Sequence, residues 1–219
     1  MIKIETVYYG GFEGAIQGMR LPLQSGDKSD SGIMCISGEG CKDCNSKCCA
    51  SMFRIGPKDL ELALKLAKSG PDHGKFLRMI HVQAIIKAPV YWLNELRTYQ
   101  VGTTTNSTSM MHTGMTREFT PEDFSCYEPG TYVEHTMAVL LNNIAKEYKE
   151  ATDPGEKERL FYLLRESVPM RYMYTIMFDC NYAVLRNIYF QRRNHRLQEW
   201  HTFCDWMKTL PYSELIIED

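Results

Sequence analysis

Pro89 separates two segments of different periodicity near the middle of the chain. The residues before it, HVQAIIKA at 81–88, form an apolar run that predicts a buried strand. The residues that follow, PVYWLNELRTY at 89–99, have the spacing of an amphipathic helix, and proline is tolerated in the first turn of a helix. The sequence therefore predicts a strand that passes through Pro89 directly into a helix packed against the core.

A polar run follows this helix and interrupts the apolar spacing. Eight Ser, Thr and Asn residues occupy positions 103–109 and 113. Hydroxyl groups and backbone amides in a tight loop can hold a phosphate or a polar heterocycle without net charge, whereas Thr-rich runs also form edge strands. A single histidine in such a run is more often an ordinary surface residue than a catalyst. The candidates for ligand contacts in the run are Asn106, Ser107, Ser109 and His112.

Helical and strand patterns alternate along the rest of the chain without the regular repeat of a βαβ protein. The N-terminal residues alternate apolar and polar side chains and predict a strand. Helices are predicted from Pro57 to the turn at 69–71, over 131–151 and over 157–168, and most of the last third is helical in pattern. We therefore expect one α+β domain over 1–219, in which a mixed sheet packs with helices.

The composition excludes several classes of protein. An apolar content of 44% and a charged content of 24% are typical of a globular domain, and 219 residues are enough for one hydrophobic core. The net charge of −2 argues against a broad basic surface for long nucleic acids. No apolar run reaches the ~20 residues that cross a bilayer, which argues against a membrane protein. The N-terminal residues lack the apolar core of a signal peptide, so we expect a cytoplasmic protein.

A polar segment rich in glycine and cysteine occupies residues 24–51, and we expect it to be a loop inserted in the domain. In a cytoplasmic chain, clustered cysteines are metal ligands or free thiols more often than disulfides. Four thiolates would complete a tetrahedral zinc site of structural rather than catalytic type, and the alternative is a flexible loop with free thiols. The candidate zinc ligands are Cys35, Cys41, Cys44, Cys48 and Cys49.

An arginine-rich helix is predicted near the C-terminal end of the chain. Helical spacing places Arg186, Phe190 and Arg193 on one face, and it turns Arg192 away from that face. The forked guanidinium group suits a phosphate, so this face could hold the phosphate of a nucleotide. The alternative is an ordinary charged face in contact with solvent.

Two segments together resemble the flavin-dependent thymidylate synthase family. DHGKFLRMIHVQAIIKAPVYWLNEL at 72–96 is similar to the family's His-containing turn, its strand ending in Lys-Ala-Pro, and the helix that follows. ESVPMRYMYTIMFDCNYAVLRNIYFQRRNHRLQEW at 166–200 is similar to the family's late segment, with its proline, aromatic stretch and Asn-and-Arg helix. The chain also resembles a divergent phage and Firmicute branch in its GMR, GDKSDS and APxYW patterns.

The resemblance implies a ThyX-like α+β subunit that forms a homotetramer and binds FAD and a pyrimidine nucleotide such as dUMP. It further implies that NADPH reduces the flavin, that methylenetetrahydrofolate supplies one carbon, and that the product is dTMP or a related 5-substituted nucleotide. The residues that the resemblance implies at the flavin are His73, Tyr99, Thr103 and Asn106. Those implied at the nucleotide are Arg97, Ser107, Ser109, Arg186, Arg193 and Asn194.

The chain departs from the family's signature at the end of the helix after Pro89. The family has Arg-His-Arg where this chain has Thr98, Tyr99 and Gln100, and the last arginine of the family's loop falls at Met110 or Met111. Arg97 could substitute for a lost arginine. The departure leaves two alternatives to an enzyme. One is a catalytically silent nucleotide-binding protein, such as a phage-type sensor or sponge, and the other is a zinc-containing module that contacts nucleic acid.

Overall fold

The computed structural model of the chain describes residues 2–35, 51–127 and 132–219. Its strands are β1 (Lys3–Gly10), β2 (Gly32–Cys35), β3 (Ser51–Arg54), β4 (His81–Pro89), β5 (Thr104–Ser107) and β6 (Met173–Asn181). Its helices are α1 (Phe12–Arg20), α2 (Pro57–Lys68), α3 (Val90–Leu96), α4 (Met110–Thr113), α5 (Tyr132–Glu150), α6 (Pro154–Ser167), α7 (Tyr182–Arg192), α8 (Gln198–Lys208) and α9 (Glu214–Ile217). Short 3-10 segments lie at Leu21–Leu23, Gly26–Lys28, Gly74–Met79 and Pro121–Asp123.

Four strands form the main sheet in the order β1-β4-β6-β5, and β2 pairs with β3 in an antiparallel sheet of two strands. The predicted strand before Pro89 is β4, and it passes directly into α3 with Pro89 as the residue before the helix. The amides of Val90 and Tyr91 donate to the carbonyl groups of Tyr172 and Met170, at 3.1 Å each, and fix the start of the helix. The predicted α+β class is therefore confirmed.

The chain divides into two compact units. The first unit comprises Met1–Glu5, Ala84–Gln100 and Thr104–Phe178. The second comprises Thr6–Gln83, Val101–Thr103 and Asp179–Asp219. The expectation of one domain over 1–219 stays a prediction.

The first unit has an apolar core between α5, α6 and the start of β6. Its buried members include Phe119, Leu141 and Leu164, and the buried Tyr172 ring packs edge-on against Phe119 at 6.1 Å between ring centroids. Near this core, Arg171 donates to the buried carboxylate of Glu134 at 2.5 Å. Because a buried carboxylate requires a charged or hydrogen-bonding partner, this ion pair helps to fix the N-terminal end of α5.

The second unit buries an ion pair between α1 and α2. Arg20 and Asp59 are 7% and 0% exposed, and Nε of Arg20 lies 2.5 Å from Oδ1 of Asp59. The hydroxyl groups of Ser29 and Ser31 both donate to Oδ2 of Asp59, at 2.5 Å each. Asp30 caps α2 by accepting from the amides of residues 58 and 59 at 3.0 and 3.1 Å. The GMR and GDKSDS motifs thus meet at the N-terminal end of α2.

The prediction of an inserted loop over 24–51 stays a prediction, since residues 36–50 lie outside the described chain. The described part of this segment contains the 3-10 segment Gly26–Lys28 and strand β2, and its last residue begins β3. Within GDKSDS, the side chains of Ser29, Asp30 and Ser31 form hydrogen bonds with the N-terminal end of α2 and with the buried Asp59. Local composition cannot reveal such partners because they come from a helix that lies further along the chain.

Candidate functional site

A cavity of about 430 Å³ in the first unit gathers several of the predicted nucleotide residues. We call it the hydroxyl cavity. Its walls come from α3, from the segment that joins β5 to α4, from the last turn of α6, and from β6. The polar residues that line it are Arg97, Ser107, Thr108, Ser109, Arg165 and Tyr174.

The hydroxyl cavity carries two positive charges and no acidic side chain among its lining residues. Within the described part of the chain, the guanidinium group of Arg97 has no hydrogen-bond or ion-pair partner. The guanidinium group of Arg165 contacts Sδ of Met111 and lies 6.0 Å from the centroid of the Phe161 ring, without a carboxylate partner in the described residues. Two such arginines beside the hydroxyl groups of Ser107, Thr108, Ser109 and Tyr174 form a site that favours an anion.

The backbone of the polar run explains how the hydroxyl groups reach this cavity. Residues 104–107 form β5 at the edge of the main sheet, so the edge-strand interpretation of the run also holds. The amide of Thr108 donates to the carbonyl group of Thr175 on β6 at 3.0 Å. The hydroxyl group of Thr113 donates to the carbonyl group of Ser109 at 2.8 Å and closes the first turn of α4. His112, in that turn, is exposed and does not line the cavity.

A second cavity, of about 240 Å³, lies beside the hydroxyl cavity in the same unit. We call it the tyrosine cavity. Thr108, Met110 and Tyr174 line both cavities and form their common wall. The other polar residues of the tyrosine cavity are Lys87, Thr113, Arg117, Asp123, Tyr172 and Thr175.

The second unit contains a cavity of about 460 Å³ around Arg186, which we call the arginine cavity. Lys68, Arg78, Asn187 and the ring of Phe190 also line it. The guanidinium group of Arg186 lies 4.9 Å from the centroid of that ring and donates to the carbonyl group of residue 215 at 3.2 Å. Partial burial lowers the pKa of Arg186 from its ordinary value. Lys68 forms an exposed ion pair at 3.6 Å with a C-terminal glutamate, and Arg78 has no ion-pair partner in the described chain.

The predicted face of α7 has the expected geometry around Phe190. Arg193 lies 4.8 Å from the centroid of the Phe190 ring, on the same face as Arg186, and 3.3 Å from the carboxylate of Asp219. Arg192 instead lies 4.7 Å from the centroid of the Trp200 ring. Arg193 and Asn194 do not line the arginine cavity, so of these three predicted nucleotide residues Arg186 is the one placed at that cavity.

A fourth cavity, of about 580 Å³, contains His73. We call it the histidine cavity. The walls of the histidine cavity are mostly apolar, with Met19, Leu62 and Phe76 among them. His73 belongs to the segment 70–75, and other residues of this segment line the arginine cavity. The other predicted flavin residues are distributed over both units: Thr103 belongs to the second, and Tyr99 and Asn106 belong to the first.

The candidate zinc site lies outside the described residues. Cys41, Cys44, Cys48 and Cys49 belong to 36–50, and the side chain of Cys35 is not described either. Elsewhere in the described chain, no group of three or more His, Cys, Asp or Glu side chains could hold a metal ion.

Burial raises the pKa of the Cys204 thiol to about 11, so this thiol is unreactive at neutral pH. Among the described helices, none combines the length and apolarity that a bilayer-spanning segment requires.

Comparison with known proteins identifies the fold but no sequence relative. No protein-family model matches this sequence, and no curated protein sequence matches it. A crystal structure of thymidylate synthase X from Helicobacter pylori with FAD and dUMP is 18% identical and has a TM-score of 0.68, with 100% of this chain and 98% of that chain covered. A second crystal structure of that enzyme with FAD and dUMP, also 18% identical, has a TM-score of 0.69 over 98% and 97% of the two chains.

A further solved structure differs in substrate range. The UMP/dUMP methylase PolB from Streptomyces cacaoi, bound with 5-Br dUMP, is 15% identical and has a TM-score of 0.58, with 98% of this chain and 93% of that chain covered. Likeness at such low identity establishes a shared fold over the full chain. The chain therefore has the ThyX-like fold of the flavin-dependent thymidylate synthases, as the resemblance of its two segments implies.

Proposed function

We propose that this protein binds a uracil nucleotide such as dUMP and uses a flavin to transfer one carbon to the pyrimidine. The observation that carries the proposal is the hydroxyl cavity, which Arg97 and Arg165 line together with four hydroxyl-bearing residues and no acidic side chain. The structures of similar fold come from enzymes bound to dUMP or to a brominated dUMP. A nucleotide phosphate is the anion that suits both the chemistry of this cavity and those relatives.

The phosphate contacts of the proposed site come from both arginines and from the polar run. Guanidinium N–H groups of Arg97 and Arg165 would donate to phosphate oxygens, and so would the hydroxyl groups of Ser107 and Ser109. Hydrogen bonds that involve a charged group contribute roughly 1.5–3 kcal/mol each. Arg186, Arg193 and Asn194 stay proposed as further nucleotide residues, with Arg186 the most favoured because it lines a cavity.

The second unit offers groups that fit FAD. A dinucleotide needs cations for its pyrophosphate and apolar walls for its ring systems. Lys68, Arg78 and Arg186 of the arginine cavity would supply the cations. The histidine cavity would supply apolar walls beside His73. Tyr99, Thr103 and Asn106 stay proposed as additional flavin contacts.

The chain's own part in the reaction is to bind and orient the reactants and to exclude water from them. When bound, FAD reduced by NADPH would supply the hydride, and methylenetetrahydrofolate would supply the carbon. The anionic phosphate fixes one end of the nucleotide at the hydroxyl cavity. Its pyrimidine is then confined to the space that the neighbouring walls leave open.

A specific observation favours a catalytically silent nucleotide-binding protein as the second candidate. Thr98, Tyr99 and Gln100 replace the family's Arg-His-Arg, so these three positions carry no charge. The hydroxyl group of Thr98 donates to the carbonyl group of residue 95 at 2.7 Å and thus satisfies a backbone acceptor at the end of the helix.

We expect the purified protein to be yellow, with flavin absorbance near about 450 nm, because the first candidate requires bound flavin. A colourless protein that still binds dUMP would favour the silent candidate.

The homotetramer remains part of the proposal. The segment RYMYTIMFDCNY at 171–182 is rich in aromatic and Met residues, the residue types that form apolar surface at an interface between subunits. In the structure most of it is β6, an interior strand of the sheet, and its Ile176 and Phe178 side chains are buried within this chain. Light scattering that reports a monomer at micromolar concentration would contradict the tetramer.

The proposed phosphate site is tested by replacing Arg165 by Ala. We expect this variant to bind dUMP about tenfold or more weakly, because it loses at least one charge-assisted hydrogen bond to phosphate. Isothermal titration calorimetry measures the dissociation constant, and a thermal melt checks the fold. Stability should hardly change, since Arg165 is exposed and has no carboxylate partner among the described residues.

Arg159→Ala is the matched control on the same helix. Arg159 is exposed and pairs with Glu156 through hydrogen bonds of 2.7 and 2.8 Å, away from the hydroxyl cavity. This control should bind dUMP like the parent. Equal affinity for dUMP in the parent and in Arg165→Ala would show that Arg165 does not hold the phosphate.

A further inference from the structure

The tyrosine cavity contains one cationic side chain that forms no hydrogen bond or ion pair within the described chain. Arg117 forms an ion pair with Asp123, and it donates to the hydroxyl group of Tyr172 at 2.9 Å, so its charge is compensated. Lys87 is half-buried on β4 and lines the same cavity, and it has no hydrogen-bond or ion-pair partner in the described residues. The ammonium group of Lys87 is therefore the donor that this cavity leaves available.

The surroundings of Lys87 are polar but nearly neutral. Tyr172 and Tyr174 contribute phenol groups, and burial, the main influence, raises the pKa of Tyr172, which therefore stays neutral near pH 7. Glu122 is the acidic side chain whose pKa Lys87 helps to lower. That pKa is lowered chiefly by a hydrogen bond with Thr120, and Glu122 is exposed and forms no ion pair with Lys87.

We infer that Lys87 determines which pyrimidine the site accepts, by donating a hydrogen bond to a carbonyl oxygen of the base. This inference rests on the proposed function, which places the nucleotide phosphate in the hydroxyl cavity. Thr108, Met110 and Tyr174 line both cavities, so the two cavities are adjacent, and the inference places the base of a nucleotide held at the hydroxyl cavity in the tyrosine cavity beside Lys87. The volume of about 240 Å³ is sufficient for a single pyrimidine ring.

The chemistry of the ammonium group sets the direction of the preference. A lysine ammonium has three donors and no acceptor. At position 4 of the ring, uracil presents a carbonyl oxygen, which accepts, whereas cytosine presents an amino group, which donates. Lys87 thus forms a hydrogen bond with uracil at this position and faces another donor in cytosine. A site that leaves a partly buried donor opposite a second donor discriminates more strongly than one that merely lacks a contact.

The experiment compares dUMP with dCMP, whose bases differ in the group at position 4 and in the proton on the neighbouring N3. Isothermal titration calorimetry is run on the purified full chain, on Lys87→Met and on Arg165→Ala. The parent is expected to bind dUMP about tenfold or more tightly than dCMP. Lys87→Met keeps most of the apolar stem but has no donor, so its two dissociation constants are expected to agree within about threefold.

A second variant guards against a folding defect at position 87. The amide of Lys87→Gln both donates and accepts, so this variant is also expected to bind dUMP and dCMP with a ratio near one. A thermal melt of each variant shows whether it is folded. If neither variant folds, a parent that binds dUMP and dCMP equally would by itself overturn the inference, and a parent preference of about tenfold would support it.

The outcomes separate this inference from the proposed function. If Lys87→Met keeps the parent's preference for dUMP while Arg165→Ala weakens both nucleotides equally, the nucleotide site stands and the role of Lys87 is overturned. If the parent binds neither nucleotide, the proposed function fails and the role of Lys87 fails with it. Loss of the preference in Lys87→Met, with both nucleotides weakened equally in Arg165→Ala, supports both.

Discussion

Replacing Asp59 by Asn is expected to lower the free energy of unfolding by about 3–5 kcal/mol, because it leaves a buried guanidinium group without its counter-charge. Arg20 and Asp59 are 7% and 0% exposed, so water cannot take over the solvation of Arg20. The Asp59 carboxylate also accepts hydrogen bonds from the hydroxyl groups of Ser29 and Ser31. The substitution therefore weakens the side-chain contacts of Asp59 with Arg20, Ser29 and Ser31.

The matched control is an ion pair of similar length at the surface. Nζ of Lys208 lies 2.7 Å from Oδ1 of Asp205, with both side chains about half or more exposed. Asp205→Asn should cost no more than about 1 kcal/mol, since solvent screens such pairs. Urea unfolding of the parent and both variants measures the difference. A loss of less than about 1 kcal/mol for Asp59→Asn would contradict the buried ion pair.

The same carboxylate predicts a dependence of stability on pH. Burial is the largest single influence and raises the pKa of Asp59, but the hydrogen bonds from Ser29, Ser31 and Arg20 together outweigh it and lower the pKa below its ordinary value. A lowered pKa in the folded state means stabilisation that is present above the unfolded-state pKa and lost as pH falls through the folded-state pKa. The parent should therefore lose stability relative to Asp59→Asn below about pH 4. Urea unfolding repeated at several pH values would detect the convergence of the two curves.

The sequence predicts best where one local pattern determines the outcome. The step from strand to helix at Pro89 needs only an apolar run followed by a proline that starts a helix, and β4 and α3 confirm it. The polar run likewise predicts Ser107 and Ser109 as ligand contacts. In the structure, both residues line one cavity together with Arg97. Their roles at a nucleotide stay predictions.

The sequence predicts poorly where a distant segment supplies the partner. Arg165 lies in the last turn of α6, where a basic residue is ordinary, and nothing local indicates that it faces the residues after β5. The sequence indicates Lys87 only as part of a Lys-Ala-Pro step, because its cavity is completed by residues near 117 and 172.

The helix after β1 depends on a glycine whose conformation other residues rarely adopt. Replacing Gly11 by Ala is expected to destabilise the protein by about 2–5 kcal/mol, as strain in the left-handed region adds to a steric clash. Gly11 has φ +91°, and its carbonyl group accepts the first hydrogen bond of α1 from the amide of Ala15 at 3.0 Å. A Cβ atom at Gly11 would overlap the backbone carbonyl oxygen of Met79, which cannot move aside as a flexible side chain could.

Gly14 in the same helix provides a control of opposite sign. A Cβ atom there would meet no atom within 4 Å, and its φ is not in the left-handed region. Because alanine is favoured over glycine inside a helix, Gly14→Ala should stabilise the protein by up to about 1 kcal/mol. Urea unfolding of both variants compares them directly. Equal stability of Gly11→Ala and the parent would contradict the close approach of Gly11 to the backbone carbonyl group of Met79.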